Sequence, residues 1–106
     1  MGYYSTFEVV DSNVPFEELA DRLNTFSKSY GWADPGWDLY NDYLTGYDGA
    51  KWYRWVEDLE QYALHFPNDY IVILRHGEES PDMSRVVVKN GKAIEQVPEL
   101  TWPEIP

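Results

Sequence analysis

Between Lys51 and Phe66 the apolar residues Trp52, Trp55, Val56, Leu59, Tyr62, Ala63 and Phe66 recur at the three- and four-residue intervals that line up one side of a helix. Arg54, Glu57, Asp58, Glu60 and Gln61 fall on the other side, with Arg54 and Asp58 spaced to pair. Pro67 cannot extend this helix and disfavours helical geometry at Phe66, so the helix is expected to stop there with His65 in its last turn. The run from Tyr70 to Leu74 (YIVIL) is aromatic and β-branched without polar alternation, as expected of a strand in the interior of a sheet. Gly77 to Asp82 (GEESPD) reads as a polar turn and Met83 to Lys89 as a second strand. Asn90-Gly91 is the pair that a two-residue type I′ hairpin requires, which sends Lys92 to Val97 back as a third.

Towards the other end, Tyr3 to Val10 alternates well enough for an opening strand, and Asp11-Ser12-Asn13 is a turn cluster. Pro15 stands where a first helical residue is expected, and Glu17, Glu18 and Asp21 load the positive end of the helix dipole. Phe16, Leu19, Leu23, Phe26 and Tyr30 form the apolar stripe, Lys28 lies in the last turn, and Gly31 supplies the C-terminal cap. From Trp32 to Ala50 the pattern weakens into a loop-rich connection, with a short strand predicted from Leu39 to Thr45. The segment from Pro98 to Pro106 (PELTWPEIP) carries three prolines and fits neither a helix nor an interior strand. It either lies along the domain, anchored by Trp102 and Ile105, or extends to meet a partner. The expected fold is α+β: a two-layer sandwich with a mainly antiparallel sheet and both helices packed on one face, ferredoxin-like in the broad sense. Residues 1–97 make one domain and residues 98–106 a Pro-rich tail.

A chain of 106 residues, 43% hydrophobic and 17% aromatic, can build one core and is too short for two. The absence of cysteine excludes disulfides and thiolate zinc sites and suits a reducing cytoplasm. No secretory leader is recognised, and no apolar run reaches the ~18 residues that a spanning helix needs. With 19 acidic against 8 basic residues the net charge is −11, which repels nucleic-acid phosphates and anionic membranes and attracts basic partners at long range. The expected partner is therefore a basic protein, with no direct nucleic acid and no membrane. The same charge also keeps an aromatic-rich domain soluble, which is the plainer reading.

Candidate partner-binding residues are Trp32, Asp34, Trp37, Asp38, Tyr40, Asp42, Tyr43 and Asp48, acids spread among aromatics with no basic residue between Lys28 and Lys51. Their alternative role is to close the open ends of the core with Trp32, Trp37, Tyr40 and Tyr43. A secondary acidic turn holds Glu78, Glu79 and Asp82. Acid/base work or a hard-cation site is conceivable for such a trio, yet the spacing fits no Ca²⁺ loop and a solvated turn explains it. His65 and His76 have no partner three or four residues on that would make a local metal pair. His76, beside the acidic turn, reads as a hydrogen-bonded strand end. No nucleophile elbow, phosphate loop or basic nucleic-acid footprint is present. No catalytic residue, metal ligand or cofactor is assigned, and the chain is read as a non-enzyme.

Met1-Gly2-Tyr3, Lys51-Trp52-Tyr53 followed by Glu57-Asp58, Phe66-Pro67, Gly77-Glu78-Glu79 with Asp82, Asn90-Gly91-Lys92 and Glu99-Leu100-Thr101-Trp102-Pro103 together resemble a widespread group of small bacteriophage and mobile-element proteins of unknown function. The chain is also similar, more weakly, to ferredoxin-like modules of the YubB type. Where the group often has a further glycine and glutamate before its turn, this chain has Arg75-His76, so a role of those acids does not transfer. The resemblance implies a protein of the bacterial cytoplasm that acts during phage or element propagation, and it supplies no catalytic residues. As an expectation for the class, it implies binding to a host protein. With the charge of −11 and the segment Trp32 to Asp48, the expected function is a non-enzymatic binding module against a basic surface of that protein, with inhibition of a nucleic-acid-binding or defence protein as one form of it. Two other readings stand beside it: an assembly protein that self-associates through a sheet edge or the tail, and a small metal-dependent hydrolase using the acidic turn and His76.

Overall fold

The computed structural model describes residues 5–30, 54–79, 82–98 and 101–106. The elements run β1 (Thr6–Ser12), α1 (Phe16–Tyr30), α2 (Trp55–His65), β2 (Ile71–His76), β3 (Met83–Lys89) and β4 (Lys92–Gln96). The expected strand from Leu39 to Thr45, the Gly31 cap, Trp52 and Tyr3 lie outside the described residues.

All neighbouring strands are antiparallel, in the order β1-β2-β3-β4. The β3–β4 hairpin turns on Asn90 (φ 55°) and Gly91 (φ 75°), two consecutive left-handed residues as a type I′ turn demands. β2 lies in the interior of the sheet, and it runs on to Arg75 and His76 because both neighbours offer partners there. Phe7 and Ser84 flank Arg75, and Thr6 and Met83 flank His76.

β1 departs from the expected pattern at its end. Asp11 and Ser12 are not a turn but the last residues of the strand, paired with Val72 and Ile71 after a register shift between Val9 and Asp11. The turn falls one step later. There the Ser12 hydroxyl accepts the Val14 N–H (2.9 Å), while Asn13 prolongs the ladder by accepting the Tyr70 N–H on its side chain (2.8 Å) and donating its own N–H to Tyr70 O (2.9 Å). α1 then opens as Leu19 N–H reaches Pro15 O (2.8 Å), with Glu17 and Glu18 in its first turn.

Alternation along the strands assigns one face of the sheet to the helices. Phe7, Val9, Ile71, Ile73, Val86, Val88 and Ala93 join Leu19, Leu23 and Phe26 of α1 and Trp55, Leu59, Tyr62 and Ala63 of α2 in one buried cluster. Both helices therefore cover the same side, the arrangement of a two-layer α+β sandwich. α2 crosses the sheet diagonally. Its first residue, Trp55, meets Phe7 of β1 edge to face at 5.4 Å, and its far end passes the hairpin, where a Cβ on Gly91 would stand 3.6 Å from Pro67 Cβ. Each large side chain buried in this layer contributes about 1.5 to 3 kcal/mol, the main term set against the entropy of ordering the chain. Among the described residues no helix is long and apolar enough to cross a membrane.

Candidate functional site

The acidic turn between β2 and β3 is described at both ends. Gly77 N–H donates to Asp82 O (2.8 Å) and Asp82 N–H to Glu79 O (2.7 Å), which closes the loop on itself. The Asp82 carboxylate receives two bonds from Arg75, at 2.7 and 3.3 Å, in the forked geometry that guanidinium and carboxylate share. Arg75 also donates from Nε to Ser84 Oγ (3.0 Å) and from Nη1 to Ser5 Oγ (3.1 Å), so it ties β1, β2 and β3 to the turn. Glu78 and Glu79 are exposed on this loop. The structure thus gives Asp82 the work of a clasp. Among the described residues no group of three or more potential ligands could hold a metal ion.

The second polar centre was not foreseen. Arg22 of α1 forks onto Asp69 (3.0 and 2.8 Å) with one nitrogen and reaches Glu18 (2.6 Å) with the other, while the Tyr62 hydroxyl donates to Asp69 at 2.6 Å. Arg22 also lies 5.1 Å over the Phe66 ring, and Phe26 packs edge-on against Tyr62, His65 and Phe66. The bond to Asp69 holds the Arg22 proton more firmly than usual, and burial followed by the bond to Asp69 pushes the Tyr62 hydroxyl well above the ordinary tyrosine range. This network joins α1, α2 and the turn leading into β2. Its parts are mutually satisfied, so it is a staple rather than a reactive group.

The remaining charge is spread over both layers, with exposed carboxylates of Glu8, Asp11 and Glu95 on the strands. Exposed carboxylates of Glu17, Glu18, Asp21, Glu57 and Glu60 stand on the two helices, where Arg22 is held in the staple and Arg54 is exposed. The strands carry the cations Arg75, Arg85, Lys89 and Lys92. Arg85 and Lys89 point away from the helices, by alternation with Val86 and Val88, and they hold the tail. Arg85 stacks 4.6 Å over Trp102 and donates to Pro103 O (2.8 Å), Lys89 donates to Pro106 O (2.7 Å), and Gln96 donates to Glu104 O (2.8 Å). Of the two dispositions expected for the tail, it therefore takes the docked one. Trp102 is its anchor and Ile105 remains exposed.

Sequence reasoning missed this surface, although MSRVVVK places Arg85 and Lys89 on the same side of the strand. Trp32, Asp34, Trp37, Asp38, Tyr40, Asp42, Tyr43 and Asp48 all lie outside the described residues. His65 sits in the last turn of α2, with Nδ1 3.0 Å from Gln61 O, and His76 is exposed at the end of β2. Comparison with protein-family models, curated proteins and solved structures gave no match.

Proposed function

We propose that this protein is a non-enzymatic binding module that engages a basic surface of a host protein, in keeping with its resemblance to small phage and mobile-element proteins. The observation that supports this reading is that most of the described cations are taken up by bonds within the protein while carboxylates stay exposed. Four of the described cations, Arg22, Arg75, Arg85 and Lys89, are bonded within the protein, whereas the helix layer shows solvent a set of exposed carboxylates. A field of one sign speeds encounter with an oppositely charged partner and disfavours phosphate-bearing ones. The aromatic and acidic stretch from Trp32 to Asp48 is the proposed source of the apolar anchors that such an interface needs.

Capture from bacterial lysate on the immobilised full chain tests the reading. Raising salt from about 50 to about 500 mM, which shortens the screening length severalfold, should release the captured basic protein. Converting Glu17, Asp21, Glu57 and Glu60, or Asp34, Asp38 and Asp42, to their amides should weaken capture at low salt. Capture that is indifferent to salt and to both sets of amides would rule the proposal out.

A further inference from the structure

The outer face of β3 and β4 presents hydrogen-bond donors and keeps its acceptors to itself. Gln96 shows how: its Oε1 takes the Arg85 Nε–H at 2.8 Å, which turns its Nε2 outward onto Glu104 O. Arg85 Nη2 and Lys89 Nζ supply two more donors, and all three bonds end on main-chain oxygens of the tail. A proline-rich segment is the ligand chemistry that matches such a face. In its extended form its carbonyls are free of internal bonds, and each proline removes an N–H that a surface of donors would leave without a partner. The guanidinium of Arg85 adds an aromatic subsite, filled here by Trp102. The cations Arg85, Lys89 and Lys92 also favour a segment carrying acids, as this one does at Glu104.

The chain's own segment fills the site incompletely. Between Ile105, Lys89 and the Pro67–Tyr70 turn a half-open recess of about 430 Å³ remains, with Ile105 at its rim and 39% exposed. A bulkier apolar side chain at that position has room to enter.

We propose that the outer face of β3–β4 is a binding site for proline-rich, indole-bearing segments of partner proteins, which Trp102 to Pro106 occupy in cis as a resident competitor. The inference concerns the face opposite the acidic helices and stands whether or not those helices bind a basic partner. Because a short tether holds the resident segment at an effective concentration on the order of millimolar, weakening that segment should open the site to the same sequence supplied in trans.

A fluorescently labelled peptide of sequence PELTWPEIP, titrated by anisotropy into the full chain and its variants, tests this. Trp102→Ala, which disables only the resident segment, should bind the peptide about three- to fivefold more tightly than the unaltered chain. Adding Arg85→Ala to Trp102→Ala should abolish binding, and adding Lys89→Ala in its place should weaken it. A peptide with Phe in the position of Ile105 should bind more tightly than the parent peptide. Circular dichroism shows whether each variant folds, and the Lys89 variant decides the matter if the Arg85 variant does not. Equal affinity for the unaltered and Trp102→Ala chains, or binding that survives loss of the donors in a folded variant, would overturn the proposal.

Discussion

The two faces of the sheet are built from alternate residues of the same strands and are covered by opposite means. On the inner face, Ile71, Ile73, Val86 and Val88 meet Leu19, Leu23, Trp55 and Leu59, and the polar groups on that side, Arg75 with Ser5 and Ser84 and Tyr62 with Asp69, are bonded to one another. On the outer face, Arg85, Lys89 and Gln96 hold a proline-rich segment by its carbonyls, around a single half-buried indole. Apolar burial is non-directional and scales with area, so the inner layer supplies stability. Solvated hydrogen bonds add little net energy but demand geometry, so the outer layer supplies selectivity and can be exchanged.

Replacing one residue on each face, and one between the layers, makes the contrast measurable. Trp55→Ala removes the indole that bridges α2 to Phe7, and should lower stability by about 3 to 5 kcal/mol in urea denaturation or leave the chain unfolded. A loss below about 1 kcal/mol would mean that the inner layer does not carry the fold.

An intermediate effect is expected at the staple. Tyr62→Phe takes a hydrogen bond from the Asp69 carboxylate and should cost about 1.5 to 3 kcal/mol at neutral pH. It also changes the response to alkali. Tyr62 holds its proton more tightly in the folded chain than in the unfolded one, where it titrates near pH ~10. Its contribution is therefore complete below that pH and is lost as pH rises above it, since the unfolded chain then releases a proton that the folded chain keeps. Stability of the unaltered chain should fall more steeply above pH ~10 than that of Tyr62→Phe. Parallel slopes would show that the hydroxyl is not held as described.

The smallest effect belongs to the outer face. Trp102→Ala should cost under about 1 kcal/mol, because a cation–π contact that is still partly open to water contributes about that much. The Arg85 Nε–H resonance should nevertheless lose its ring-current shift. A loss as large as that of Trp55→Ala would erase the distinction between the faces.

The sequence was most readable where one residue answers to its near neighbours. Asn90-Gly91 announced its hairpin because few other residues accept two positive φ angles in succession, and Met83 to Lys89 forms a strand over the expected span. The Ser12 to Asn13 boundary slipped because turn-forming residues also pair in a ladder when a neighbouring strand presents Val72 and Ile71. Of the candidate site, Glu78, Glu79 and Asp82 were placed correctly on a turn, but nothing local says that Asp82 belongs to Arg75. The Trp32 to Asp48 stretch, outside the described residues, keeps its role as a proposal.

What the chain alone determined is its periodicity, its turns and the charge it carries, since a helix face, a strand face and a tight turn are fixed by residues a few positions apart. Tertiary structure decided which groups are consumed and which are left to act. Arg22 meets Asp69 across 47 positions and Arg75 meets Ser5 across 70, and any of several carboxylates or hydroxyls would have served as well on sequence grounds. The selection is made by packing: once the apolar faces close, long polar side chains bond to whatever the crossing of helix and strand has brought within about 3 Å. The strands' inner positions are then taken up by the core and by the clasp of Arg75, and the outer row of Arg85, Lys89 and Gln96 becomes a surface that can take a ligand.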